Sequence, residues 1–159
     1  MKTIAILENK TLLLKNTLSY TLDLEKDNIN FVDIQINKMD TYIQTHGANR
    51  IGPIIQYSDF EQQENGQVNF LIKFMVQSDS FIADVDSSYE MNEISRVTNC
   101  LYARYIGPED TIKFAYDKLG VYAFENEIDL KGNSYTIYVD RNQDDESIVA
   151  DVFMPLKDN

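Results

Sequence analysis

Two stretches of the chain carry apolar side chains at the three- and four-residue spacing of an amphipathic helix. The first stretch consists of Val32, Ile36, Met39 and Tyr42, with Ile29 and Ile43 extending it. The second stretch repeats the spacing 80 residues later and consists of Ile112, Tyr116, Leu119 and Tyr122. Gly47 is placed to end the first helix, and Pro108 is placed in the first turn of the second. The pattern predicts two similar helices.

Runs rich in β-branched and aromatic residues surround each predicted helix in the same order. Two runs follow each helix, at residues 53–60 and 67–77 and at residues 134–140 and 147–156. Polar turns join the two runs of each pair, at residues 64–66 and 141–146. One further run precedes each helix, at residues 11–22 and 94–106. The sequence therefore predicts an α+β fold of duplicated strand-helix-strand-strand units with pseudo-twofold symmetry, in which two main helices lie on one side of an antiparallel sheet.

Individual strand residues also recur between the two copies. Tyr57 and Asp59 recur as Tyr138 and Asp140 after 81 residues. The pair Phe74-Met75 recurs as Phe153-Met154 after 79 residues. We attribute the drift in spacing to loops of unequal length.

An acidic segment at residues 78–90 separates the two copies and is predicted to be a linker. Phe81, Ile82 and Val85 are the side chains expected to attach it to the body of the protein. We therefore expect a single domain over residues 1–159, made of two repeats at about 1–78 and 90–159 joined by this linker.

The charge balance narrows the choice of partner. The chain has 26 acidic and 14 basic residues, which gives a formal net charge of −12. Such a surface repels phosphate backbones and anionic lipids, so neither nucleic acid nor direct membrane insertion is expected. Cations and basic protein surfaces are more compatible, although an acidic excess also promotes solubility without indicating any partner.

The residues that carry most catalytic and metal chemistry are scarce. Cys100 is the only cysteine, which excludes an internal disulfide and a cysteine zinc site and is typical of a reducing compartment. His46 is the only histidine, and its place at the end of the first helix favours capping of carbonyl groups. Without a signal-peptide pattern or an apolar run of about 18 residues, a cytoplasmic protein is expected. We predict no enzyme activity, no cofactor and no metal.

Three segments in the second half resemble the gyrase-inhibitor-like effector-binding domains. They are residues 102–108, 134–138 and 150–156, which read YARYIGP, SYTIY and ADVFMPL. The resemblance implies a tandem strand-helix-strand-strand fold with a cleft between the halves, and small-molecule binding as one function. Many members that bind cationic drugs carry a buried glutamate two residues before the tyrosine that matches Tyr138, but Thr136 stands there in this chain. This difference counts against binding of a multidrug-type cation and against the hydrolase activity of some relatives, because a hydroxyl cannot replace a buried carboxylate as a cation trap.

The whole chain, by its length, acidity and tandem layout, also resembles the EsaE accessory chaperones of type VII secretion. This resemblance implies a protein partner, namely a secreted nuclease toxin whose helical targeting region is bound and presented to a secretion ATPase. The leading hypothesis is accordingly a non-catalytic adaptor or chaperone. The alternative is a small-molecule effector-binding domain.

Ten tyrosines make the strands a candidate binding surface. Alternate strand residues face the helices and the others face outward, so the tyrosines either form an aromatic cleft or pack under the helices. The candidate groove, which would bind the partner or ligand, consists of Ile55, Tyr57, Tyr102, Thr136 and Tyr138.

Overall fold

The structure is a computed structural model that describes residues 4–23 and 32–157. The elements in this part of the chain are, in order, β1 (Ile6–Thr21), α1 (Val32–Thr45), β2 (Arg50–Gln62), β3 (Val68–Ser78), β4 (Glu90–Pro108), α2 (Lys113–Glu125), β5 (Ser134–Arg141) and β6 (Ser147–Pro155). The predicted α+β fold is confirmed. Ile29, predicted to extend the first helix, lies outside the described residues. Neither described helix has the length and apolar character needed to cross a lipid bilayer.

The six strands form one antiparallel sheet that closes into a barrel in the order β1-β3-β2-β5-β6-β4. In the first unit, β3 pairs with both β1 and β2. In the second unit, β6 pairs in the same way with β4 and β5. The two units meet where equivalent strands pair, β1 with β4 and β2 with β5. This arrangement has the predicted pseudo-twofold symmetry.

Each helix covers the outer face of strands from its own unit. The buried side chains between α1 and strands β1 and β3 include Leu18, Met39, Ile43 and Val76. Those between α2 and strands β4 and β6 include Leu101, Ala103, Leu119, Ile148 and Val152. Burying an aliphatic side chain of this size contributes about 1.5–3 kcal/mol, so the helical apolar spacing in the sequence holds both helices on the sheet.

A second core fills the interior of the barrel, and every strand contributes to it. Its buried members are Leu12, Leu14, Ile55, Met75, Cys100 and Phe153. Tyr57, Tyr102, Tyr135 and Ile137 pack against them. The sheet is therefore apolar on both faces, because one face meets the helices and the other faces the barrel axis.

The end of α1 has the predicted capping residues. Gly47 has a φ angle of 77°, and the backbone N–H of Ala48 donates to the carbonyl of Ile43 at 3.1 Å. Nδ1 of His46 lies 2.7 Å from the carbonyl oxygen of Tyr42, which agrees with a capping role for this histidine.

The start of α2 differs from the prediction. Pro108 is the last residue of β4, and a short 3-10 turn, Glu109–Thr111, separates it from the helix. The hydroxyl of Tyr105 donates to the carbonyl of Pro108 at 2.5 Å. This bond fixes Pro108 at the strand end, and the helix begins at Lys113.

The acidic segment between the units has no regular secondary structure over residues 79–89. Ile82 is buried in the core under α1, and Val85 packs against that core. Phe81, which was also expected to attach the segment, is half exposed. Two of the three predicted side chains therefore make the attachment.

Candidate functional site

A cleft of about 1200 Å³ opens beside α1, between strands β2 and β3 and the turn that joins β5 to β6. Its apolar lining comes from α1 and from the outer face of the strands, and includes Ile36, Ile54, Ile72, Phe74 and Val139. Because α1 and α2 cover different strands, neither helix fills the space above β2 and β5. The fold thus leaves an apolar cleft where the two units meet.

A tyrosine and a glutamine place polar groups within this apolar lining. The hydroxyl of Tyr138 on β5 donates a hydrogen bond to Oε1 of Gln56 on β2, at 3.3 Å. Burial raises the pKa of Tyr138 well above its usual range, and nearby Tyr116 and Glu109 raise it further. The phenol is therefore neutral at physiological pH and can donate a hydrogen bond.

Five charged side chains also line the cleft, namely Asp33, Arg50, Glu109, Asp140 and Arg141. Both arginines are paired: Nη2 of Arg141 lies 2.7 Å from Oε1 of Glu109, and Nε of Arg50 lies 3.4 Å from Oδ1 of Asp40. Asp33 and Asp140 have no ion pair within the described part of the chain. The cleft therefore offers two carboxylates that can meet a cationic ligand.

Thr136 lies outside the cleft lining. It is the cross-strand partner of Gln56 and is almost completely buried. Its hydroxyl shares a hydrogen bond with the hydroxyl of Tyr116 on α2. The residue at the position of the family glutamate is thus a neutral group that ties α2 to β5.

The interior face of the barrel holds the other predicted tyrosines. The rings of Tyr57 and Tyr135 lie with centroids 4.8 Å apart, and the Tyr57 hydroxyl donates to Oδ2 of Asp59 at 2.9 Å. The Tyr102 hydroxyl donates to Oδ1 of Asp151 at 2.7 Å. These contacts couple aromatic rings to carboxylates inside the barrel.

The structure does not bring the five predicted groove residues together. Tyr138 lines the cleft, Thr136 lies under α2, and the interior of the barrel holds Ile55, Tyr57 and Tyr102. Sequence reasoning missed Gln56, Phe74 and Asp33. The signal for Gln56 was its place beside Tyr57, because adjacent strand residues face opposite sides of a sheet.

No protein-family model matches the sequence, and no curated protein matches it. Solved structures do match. The C-terminal domain of EcmrR has a TM-score of 0.70 at 16% identity, and the match covers 99% of this chain and 98% of that domain. EcmrR in a complex with DNA has a TM-score of 0.68 at 14% identity, and the match covers 99% of this chain but only 58% of the EcmrR chain.

SAV2435 bound to tetraphenylphosphonium has a TM-score of 0.51 at 11% identity, with 95% of this chain and 94% of that chain covered. A hydrolase from Listeria innocua has a TM-score of 0.59 at 12% identity, with 97% and 91% covered. At these identities the likeness shows the fold alone. The chain has the effector-binding fold that the gyrase-inhibitor-like resemblance implied. None of these structures is described as a secretion chaperone.

Proposed function

We propose that this chain is a small-molecule effector-binding domain whose ligand occupies the cleft beside α1. The observation that carries the proposal is the cleft itself, which combines an apolar lining with the polar pair Gln56 and Tyr138. Ligand sites in proteins have this composition, and a volume of about 300–1,000 Å³ is usual for them. The measured volume of about 1200 Å³ leaves room for a bulky ligand.

The ligand class that fits the lining is a lipophilic organic cation. Phe74 and Tyr138 offer aromatic rings, and a cation gains about 0.5–2 kcal/mol over such a ring. Asp33 and Asp140 add carboxylates without an arginine partner among the described residues. The similar fold of SAV2435, which is bound to tetraphenylphosphonium, supports this class.

Thr136 sets a limit on the strength of cation binding. A buried carboxylate at this position would attract a cation strongly, whereas Thr136 contributes only a neutral hydrogen bond to Tyr116. The charge of the ligand is then met by Asp33 and Asp140, which are exposed. Binding should therefore weaken as salt screens these carboxylates, over a Debye length of about 10 Å at 0.1 M.

Titration calorimetry with two ions of the same shape and opposite charge tests the proposal. Tetraphenylphosphonium should bind at least about tenfold more tightly than tetraphenylborate, a difference of about 1.4 kcal/mol. Phe74→Ala and Asp140→Asn should each weaken binding of the cation. Asp84→Asn, the same charge change in the linker, is the matched control and should have no effect. Equal affinity for the two ions would overturn the cation assignment, and no binding of either would overturn the site.

The adaptor function, including a chaperone for a type VII secretion toxin, is the second candidate. The specific observation in its favour is that the cleft exceeds the usual volume of a small-molecule site and has two unpaired carboxylates, which also fits a basic amphipathic helix. A stoichiometric protein client that competes with tetraphenylphosphonium would favour the adaptor. A co-purified organic cation would favour the effector domain.

We propose further that the domain binds its ligand without catalysing a reaction. Its only histidine contacts the carbonyl of Tyr42 at the end of α1, away from the residues that line the cleft. Within the described residues, no group of three or more acidic, histidine or cysteine side chains is arranged to hold a metal ion. Turnover of an ester substrate that is lost in Tyr138→Phe would contradict this proposal.

A further inference from the structure

Helix α2 is apolar on the face directed away from the sheet as well as on the buried face. Ala115, Leu119 and Ala123 are buried against β4 and β6. On the opposite face, Phe124 is 86% exposed and Val121 is 55% exposed. Phe114, 51% exposed, extends this stripe by two turns, because residues seven apart share a helix face. A surface helix normally carries polar residues on this face, so the stripe indicates a contact surface.

Lys118 and Glu125 border the stripe along one edge. Neither makes an ion pair within the described part of the chain. They cannot pair with each other, because seven residues of helix separate them by about 10 Å. The edge therefore presents one positive and one negative charge, spaced along the helix axis.

Gly120 lies on the same exposed face, on the opposite edge. A Cβ atom added at this position would have no described atom within 4 Å, so packing inside the chain does not require glycine here. Glycine within a helix costs about 1 kcal/mol relative to alanine. The gap that it leaves in the stripe is suited to a side chain from another molecule.

We propose that α2 is a contact surface between two copies of this chain, packed antiparallel about a twofold axis close to Val121. In that arrangement Val121 meets the partner's Val121, and Phe124 covers Gly120 of the partner subunit. Lys118 pairs with the partner's Glu125, and the symmetry makes this ion pair twice. The pairing follows from equal spacing, because residues 118 and 125 lie equally far along the helix from the axis.

The charges on α2 favour a second copy over a foreign partner. Each chain has a net charge of −12, so two copies repel each other over most of their surface. The outer face of α2 is balanced, with Lys113 and Lys118 against Asp117 and Glu125. Two copies therefore meet with least repulsion at this helix, whereas a balanced face offers no advantage to a strongly basic or acidic protein.

A charge exchange tests the proposed ion pair. In sedimentation equilibrium, Lys118→Glu and Glu125→Lys should each raise the dimer dissociation constant at least about tenfold, and the double variant should restore it. Lys157→Glu makes the same charge change on another exposed lysine and should leave dimerisation unchanged. A monomer at every concentration up to solubility would overturn the proposal, and so would a double variant that stays as weak as the single ones.

A disulfide across the axis gives an independent test of the geometry. Val121→Cys should form an intermolecular disulfide at least about tenfold faster than Ile34→Cys, an equally exposed position on α1. The native Cys100 does not interfere, since it is buried and burial raises the pKa of its thiol. Equal rates for the two variants would contradict the placement of the axis on α2.

Discussion

The phenol of Tyr138 donates a hydrogen bond to the side-chain oxygen of Gln56, 3.3 Å away, and this bond joins β5 to β2 at the base of the cleft. Gln56 also faces Thr136 as its cross-strand partner. The two units thus share a polar contact as well as backbone pairing. Because the pKa of Tyr138 is raised by burial, the hydroxyl remains a donor throughout the neutral pH range.

Removal of the Tyr138 hydroxyl should lower the free energy of unfolding by about 1 kcal/mol, because the Gln56 oxygen loses its donor in a half-buried site. Urea denaturation of Tyr138→Phe measures this value. Combining it with Gln56→Leu in a double-mutant cycle should give a coupling energy of about 0.5–1.5 kcal/mol. In the control variant Tyr122→Phe the lost bond is to Glu8 at the surface, so the change should stay below about 0.5 kcal/mol. A coupling energy near zero would show that the bond between Tyr138 and Gln56 adds nothing to stability.

Asp151 should make stability depend on pH in the acidic range. Burial works to raise its pKa, but hydrogen bonds from Arg104 and Tyr102 outweigh burial and lower it. A lowered folded-state pKa means that the stabilisation is present above the unfolded value of about 3.9 and is lost as pH falls through the folded value. Asp151→Asn should therefore cost about 1 kcal/mol at neutral pH and almost nothing below about pH 3.

The ion pair between Glu109 and Arg141 provides the control for Asp151. Both side chains are exposed, so Glu109→Gln should change stability by less than about 0.5 kcal/mol at any pH. If the penalty of Asp151→Asn were the same at acidic and neutral pH, the bidentate pair with Arg104 would not be the source of the stabilisation.

The order of elements and the duplication could be predicted because both rest on periodicity that the sequence carries directly. Apolar residues at helical spacing located α1 and α2, and paired strand runs with polar turns located the hairpins. The 80-residue repeat of the helices also describes β2 and β5, where Gln56 and Thr136 are direct partners on the helix-facing side. Local patterns were enough to predict the architecture.

The candidate site was harder to predict because a shift of one residue moves a strand side chain to the other face. The recurrence of Tyr57 as Tyr138 spans an odd number of residues, 81, and the two tyrosines lie on opposite faces of the sheet. Phe74 and Phe153 differ for the same reason. The correspondence proposed from these residue pairs is therefore wrong by one position. Closure of the barrel, which makes one face an interior, depends on long-range pairing that no local pattern reports.

Tyr135 should be among the last tyrosines to ionise. Burial raises its pKa to about 12, and nearby Tyr57, Cys100 and Asp59 add to the effect. Because the folded-state pKa is above the unfolded value of about 10, the stabilisation is complete below pH 10 and is lost as pH rises to about 12. Tyr135→Phe should flatten the fall in stability over this range, as measured by urea denaturation at several pH values. An unchanged slope would show that Tyr135 titrates normally.

Unfolding experiments on the two helices should show whether the repeats behave as one domain. Met39 under α1 and Leu119 under α2 are both fully buried, so Met39→Ala and Leu119→Ala should each cost about 2–5 kcal/mol. Because strands of the two units pair at both β1–β4 and β2–β5, we expect each variant to unfold in a single transition at a lower denaturant concentration. Circular dichroism and tyrosine fluorescence, recorded on the same samples, should give the same midpoint. Two separated transitions, with only one of them shifted by each variant, would mean that the repeats are independent folding units despite the shared sheet.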